Sequence, residues 1–250
     1  LERRRGRARK ASCQADERLD VSFFDVYDAP VMVESLASDL SVFHRVITRA
    51  MTVSLARARG FEGAGFESPE LKRGFLDYVR CLTILTKAHH DTEDELVFPT
   101  FRARLPDAPF DTLDAQHTEL LPLLDSVRER AESGGKGVPE SEWLPGLARD
   151  LERLGQLWAE HIGLEERYFT DEVVGPVCPP AEQAELSRKF AEHGQKLAQP
   201  GPLLLPFMYF NLEPADRRNF SGKLPPPVVQ QLIPLDWREI WAPMKPFLLA

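Results

Sequence analysis

Residues 89–99 read HHDTEDELVFP, and residues 161–169 read HIGLEERYF. Each stretch places a glutamate four residues after a histidine, His89 with Glu93 and His161 with Glu165. Positions i and i+4 lie on one face of a helix, so each pair aims an imidazole and a carboxylate at a common point. Two such pairs point to a two-metal site held between helices.

The surrounding register supports that reading. Helical periodicity dominates from about residue 31 to 198. A first stripe runs through Leu36, Leu40, His44, Ile47 and Met51 and ends in the glycines at 60–65. A second begins at Ser68-Pro69, a favourable cap and first-turn pair, and continues through Leu82, Leu85, His89, Glu93 and Leu96 to Pro99. A third carries Leu113, His117, Leu120, Leu121 and Leu124, and a fourth carries Leu151, Leu154, Trp158, His161, Glu165 and Phe169 before stopping ahead of Gly175-Pro176. A shorter fifth follows Pro179-Pro180. No alternation of strand type interrupts them, so the expected fold class is all-α: an antiparallel up-down four-helix bundle with a short fifth helix.

Neighbours decide which histidines face inward. His89 is flanked by Leu82, Leu85 and Leu96, whereas His90 is flanked by Thr83, Thr86 and Asp94 and is expected at the solvent edge. His44, His117 and His161 also sit on apolar stripes. A core histidine bonded to a neighbour explains any one of these, but a metal-free reading must also bury Glu93 and Glu165, which is strongly disfavoured for carboxylates without a cation or a proton. Imidazole and carboxylate without thiolate suit iron, manganese or zinc. His193, near Lys189 and Lys196, reads as solvated, and Tyr168 as a packing residue.

Composition bounds the rest. The chain has 250 residues, 43% hydrophobic and 28% charged, with a formal net charge of −8. Residues 1–10 carry six basic side chains and one acid, leaving 25 basic against 38 acidic residues beyond them. So acidic a body argues against nucleic acid as a ligand. Residues 1–25 are expected to be a disordered basic leader, 26–199 the metal-binding bundle and 200–250 a Pro-rich extension. Cys13, Cys81 and Cys178 form no disulfide framework or C-x-x-C motif, which suggests a reducing, cytoplasmic setting. No apolar run is long enough to span a membrane. Ten of the 21 prolines lie from Pro200 onward, beside Phe207, Tyr209, Trp237, Trp241 and Phe247. So apolar a segment is expected to pack, as short helices and extended pieces, on the bundle, across a homodimer or on a protein partner.

At these residues the chain resembles the hemerythrin-like, or HHE cation-binding, family: HHDTEDELVFP is similar to its second-helix motif, HIGLEERYF to its fourth, with His44-Arg45 on helix one and His117 on helix three. The resemblance covers roughly residues 30–195. It implies two non-haem iron ions, with an oxo or hydroxo bridge among the arrangements allowed. His44 and His89 would hold one, His117 and His161 the other, and Glu93 and Glu165 would bridge. Oxygen-carrying hemerythrins have two histidines a turn apart on helix three, where this chain has Leu113 and Leu121 either side of His117. The set is closer to iron- and oxygen-responsive members and bacterial HHE proteins, which implies sensing or binding of O2, NO or iron, or redox protection, over bulk oxygen transport. An enzyme acting on peroxide or O2, and a metal-free interaction module, are the competing readings. A ferritin-like oxidase would need Glu-x-x-His on two helices, and only Asp114-x-x-His117 approaches it.

Overall fold

A computed structural model describes residues 35–249, so the basic leader and Cys13 lie outside the described residues. Among those described, every regular element is helical. Helix α1 (Leu36–Ala64) starts where the Ser35 hydroxyl accepts from the Ser38 amide at 3.0 Å, and ends at Gly65, whose φ of 67° only glycine adopts freely. Helix α2 (Pro69–Thr92) starts the same way, Ser68 Oγ accepting from the Leu71 amide at 3.1 Å, with Pro69 in the first turn, where its missing N–H costs nothing.

The second helix does not then run unbroken to Pro99. Residues Glu93–Val97 form a π-helical turn, and the short α3 (Phe98–Phe101) resumes ordinary helix. Periodicity alone does not distinguish the two, because one widened turn shifts the stripe by a fraction of a residue. Helix α4 (Phe110–Ser133) stops at left-handed Gly134, and α5 (Glu140–Glu165) stops at Glu165, short of Phe169. A turn then leads into α6 (Asp171–Val174) and α7 (Pro180–Leu197).

The four long helices pack in a ring: α1 on α2, α2 on α4, α4 on α5 and α5 on α1. One part of the interior is an aromatic cluster of Val97, Phe98, Phe101, Phe110, Leu113 and Phe169, fully or nearly buried. Residues 201–249 continue as α8 (Gly201–Asn211), α9 (Pro214–Gly222), a second π segment (Val228–Asp236), α10 (Arg238–Trp241) and a 3-10 turn (Ala242–Phe247). Short helices and extended pieces were expected, and the regular elements are all short helices; Pro202, Pro214 and Pro243 fall in first turns, where helices tolerate proline.

This segment lies on the first half of α2. The Phe247 ring meets Phe75 and Tyr78, each at 5.7 Å between centroids. Gly74 is there because a Cβ would stand 1.9 Å from the Pro243 carbonyl oxygen. Arg49 of α1 donates to the Phe247 carbonyl at 3.1 Å and to Asn211 Oδ1, to which the buried Tyr78 hydroxyl also donates at 2.7 Å. No helix of the described residues is long and apolar enough to cross a membrane.

Candidate metal centre

Four helices deliver the polar centre: His44 from α1, His89 and His90 from α2, His117 from α4, and His161 and Glu165 from α5, while Glu93 opens the π turn. All seven are buried, the two glutamates completely. The structure therefore brings together all six residues singled out from the sequence.

Glu93 lies between two histidines from different helices. Its Oε1 is 2.9 Å from His89 Nε2, and its Oε2 is 3.4 Å from His117 Nε2. Glu165 Oε2 is 3.4 Å from His44 Nε2 and 3.7 Å from His161 Nε2. Each carboxylate thus sits between imidazoles of two helices. Ligand atoms of His44, His89, Glu93 and Glu165 form one close group and those of His90, Glu93, His117 and His161 another, all within 4.8 Å of one another in each, with Glu93 common to both.

Hydrogen bonding leaves these atoms unspent. Both oxygens of Glu93, both of Glu165, and Nε2 of His44 and His89 are buried without a hydrogen-bond partner. Each orphaned buried polar atom costs about 1–3 kcal/mol, and more when charged. So many in one place amount to a donor set facing a common point, which fits cations bound by nitrogen and oxygen. The spacing fits as well: donors held by bonds of ~2.1 Å at tetrahedral angles stand about 3.4 Å apart, against 3.2 Å between His117 Nε2 and His161 Nε2.

The far side of three rings is occupied. His44 Nδ1 lies 3.0 Å from Glu166 Oε1, His117 Nδ1 2.7 Å from Asp94 Oδ1, and His161 Nδ1 3.2 Å from Gln116 Oε1. An ionised carboxylate or an amide oxygen only accepts, so each Nδ1 carries a proton, and in the neutral ring the Nε2 lone pair is the one left toward the centre. Trp158 fills the space among the rings of His44, His89, His90 and His161, at 5.8–6.0 Å between centroids, its Nε1–H donating to Thr48 Oγ1 at 2.8 Å. Phe98 stacks on His117 at 5.3 Å. His117 also lines a surface cleft of about 340 Å³ with Asp94, Phe98, Arg102 and Asp114.

Electrostatics push the two carboxylates apart. Burial, then the charge of Glu93 beside it, raises Glu165 well above the usual carboxylate range. Burial acts on Glu93 in the same direction, but the surrounding His89, His117 and His90 outweigh it and hold Glu93 well below. Burial lowers His44 and His90, and brings His161 to about 3. It also opposes protonation of His117, yet the bond to Asp94 and the nearby Glu93 carboxylate prevail and lift that ring to about 9. Two adjacent carboxylates in a dry site cannot both stay charged unaided, and a bound cation, the largest local charge, reverses that logic.

His90 corrects the sequence reading. It is 1% exposed, not at the solvent edge, and both its ring nitrogens lack a partner. The two threonines of the polar stripe that suggested otherwise are themselves buried: Thr83 Oγ1 donates to the Arg80 carbonyl and Thr86 Oγ1 to the Leu82 carbonyl, each at 2.9 Å, so both hydroxyls are satisfied by their own helix. His193 is likewise less solvated than expected, at 3.1 Å from Thr92 Oγ1 and 2.9 Å from Glu95 Oε2. Tyr168 packs against the aromatic cluster. Asp94, Glu166 and Gln116 escaped notice, although Asp94 and Glu166 each directly follow a proposed ligand, which was the available signal.

The family profile described as Hemerythrin HHE cation binding domain matches residues 35–172 of the chain, the span that contains all seven residues of the centre. Searches of curated proteins and of solved structures returned no match.

Proposed function

Because the chain belongs to the hemerythrin HHE cation-binding family, we propose that it holds two non-haem iron ions between the helices of an antiparallel up-down bundle, with His44, His89, Glu93, His117, His161 and Glu165 as ligands. The observation that carries this reading is Glu93: it is completely buried, neither oxygen has a hydrogen bond, and its two oxygens face histidines of different helices. A bridging carboxylate has that disposition. Manganese and zinc suit the same donors, and iron is preferred for its fit to mixed imidazole and carboxylate sets.

Iron bound there supplies one-electron redox chemistry and coordination positions open to a small ligand. The chain's own residues set the conditions. Asp94, Glu166 and Gln116 accept the Nδ1 protons of His117, His44 and His161 and so fix which nitrogen faces inward. Trp158 and Phe98 exclude water from two sides of the cluster. The cleft beside His117 has room for a diatomic molecule or peroxide and for little more chemistry, since its lining offers Asp94, Arg102 and Asp114, with Arg102 already paired to Asp111 and Asp114 at 2.7 and 2.6 Å.

We read the physiological role as sensing or binding of O2, NO or iron, or redox protection, in the cytoplasm. The single histidine of α4, between Leu113 and Leu121, favours these over bulk oxygen transport. The cleft favours a second reading, turnover of peroxide or O2 at the same centre. Metal analysis of the full chain from iron-replete cells is expected to give about two irons per chain, with an absorption spectrum that changes on reduction and again on exposure to air or NO. Protein without transition metal would overturn the reading. Iron with no spectral response to either gas, but with catalytic loss of peroxide, would favour the enzyme.

A further inference from the structure

Resting on the two-cation reading, we propose that His90 is the third imidazole of the position that holds His117 and His161, so that the two positions of the centre are unlike, three imidazoles facing two.

Neither nitrogen of His90 has a hydrogen-bond partner, and the ring is 1% exposed. A neutral imidazole must carry one N–H and one lone pair, so a histidine kept only for packing would still need an acceptor for its proton. The threonines on its own stripe turn their hydroxyls to the carbonyls of Arg80 and Leu82, and neither hydroxyl accepts from His90. What His90 does have is company. Its ring stacks on His117 at 4.2 Å and meets His161 edge-on at 5.2 Å. A ligand atom of each of the three lies within 4.8 Å of the others and of Glu93. Helix α4 contributes one histidine to the centre, and α2 presents two in succession.

The two positions then differ in charge as well as in nitrogen count. His44 and His89 share their group with two carboxylates, Glu93 and Glu165, whereas His90, His117 and His161 share theirs with Glu93. The first is the harder, more anionic set and favours the more highly charged ion; the second is richer in imidazole and favours a divalent one. The two irons should therefore load, and leave on chelation, in two separate steps.

The experiment is an anaerobic titration of Fe(II) into metal-free full-length protein, with His90→Ala and His90→Gln beside the wild type and circular dichroism to confirm folding. Wild type is expected to bind two equivalents. The variants are expected to keep one at wild-type affinity and to bind the second at least tenfold more weakly. Two equivalents at wild-type affinity in both variants would overturn the role of His90 and leave the two-cation reading standing. Fewer than two equivalents in the wild type would overturn both. Should neither variant fold, Mössbauer spectra of wild type loaded with enriched iron decide the matter: two unlike quadrupole doublets of equal area support the proposal, and a single doublet overturns it.

Discussion

The two halves of α2 do opposite work with the same helix. Its first half meets residues 201–249 through Gly74, Phe75 and Tyr78, a contact of close-packed backbone and rings whose polar atoms, the Tyr78 hydroxyl among them, are hydrogen-bonded. Its second half carries His89 and His90 into the polar centre and passes directly into the π turn at Glu93, where the buried polar atoms are orphaned. The first half is complete as a polypeptide. The second is complete only with something added. The contacts that pack the helix and the atoms that form the centre thus lie on different halves of it, and each half should be breakable without the other.

The largest effect is expected at the shared carboxylate. Glu93→Ala should abolish binding at both positions, and the metal-loaded protein should lose about 3–5 kcal/mol of stability, the cost of removing one member of a buried charged set. Glu93→Gln should also release the metal, and in metal-free protein it should destabilise, less than Glu93→Ala, since the surrounding histidines favour the charged carboxylate. Metal analysis and chemical denaturation of both variants check this, and a Glu93→Gln protein that retains two irons would contradict it.

Removal of metal from the wild type comes next. A ligand present at about a hundred times its dissociation constant stabilises the native state by about 2.7 kcal/mol. The melting temperature should fall, and hydrogen exchange should rise around residues 89–97 and 161–165 while residues 74–79 stay protected. Uniform loss of protection along α2 would show that the two halves are not separable.

Gly74→Ala is the reciprocal test. A Cβ there collides with the backbone of Pro243, which has no flexible end to swing aside. The expected loss is about 1–3 kcal/mol, as for overpacking generally. Iron content should stay unchanged, and its loss would tie the two halves together.

The smallest effect is expected at Asp94, which touches no proposed cation position. Asp94→Ala removes the acceptor that orients His117, and such changes typically weaken metal affinity about 10–100-fold. The metal-free protein should keep its fold with a modest loss of stability, because the Asp94 bond also supports the protonated His117 there, and competition with a chromophoric chelator measures the shift in affinity.

Much of the centre was legible because apolar neighbours mark an inward face. Leu82 and Leu85 place His89, Leu113 and Leu120 place His117, and Leu154 and Trp158 place His161. The Ser68-Pro69 start of α2 was legible for the same kind of local reason, a side chain that serves the adjacent backbone. The rule failed at His90 because threonine reads as polar by composition, yet Thr83 and Thr86 spend their hydroxyls on their own helix and bury as apolar residues do. The π turn was hidden because the chain that forms it has no compositional mark. The need for glycine at position 74 lies in a contact with residue 243, far away in sequence, and no local pattern announces such a pairing.

The acceptors behind His117 and His44 belong to half-exposed side chains, Asp94 at 44% and Glu166 at 49%. The controls of a fully buried centre therefore extend to the protein's outer surface. A single substitution at either position would change the electron density on a proposed ligand without disturbing a packed neighbour. Descendants of this chain could adjust affinity or redox potential by drift at ordinary surface positions, with the interior left as it is.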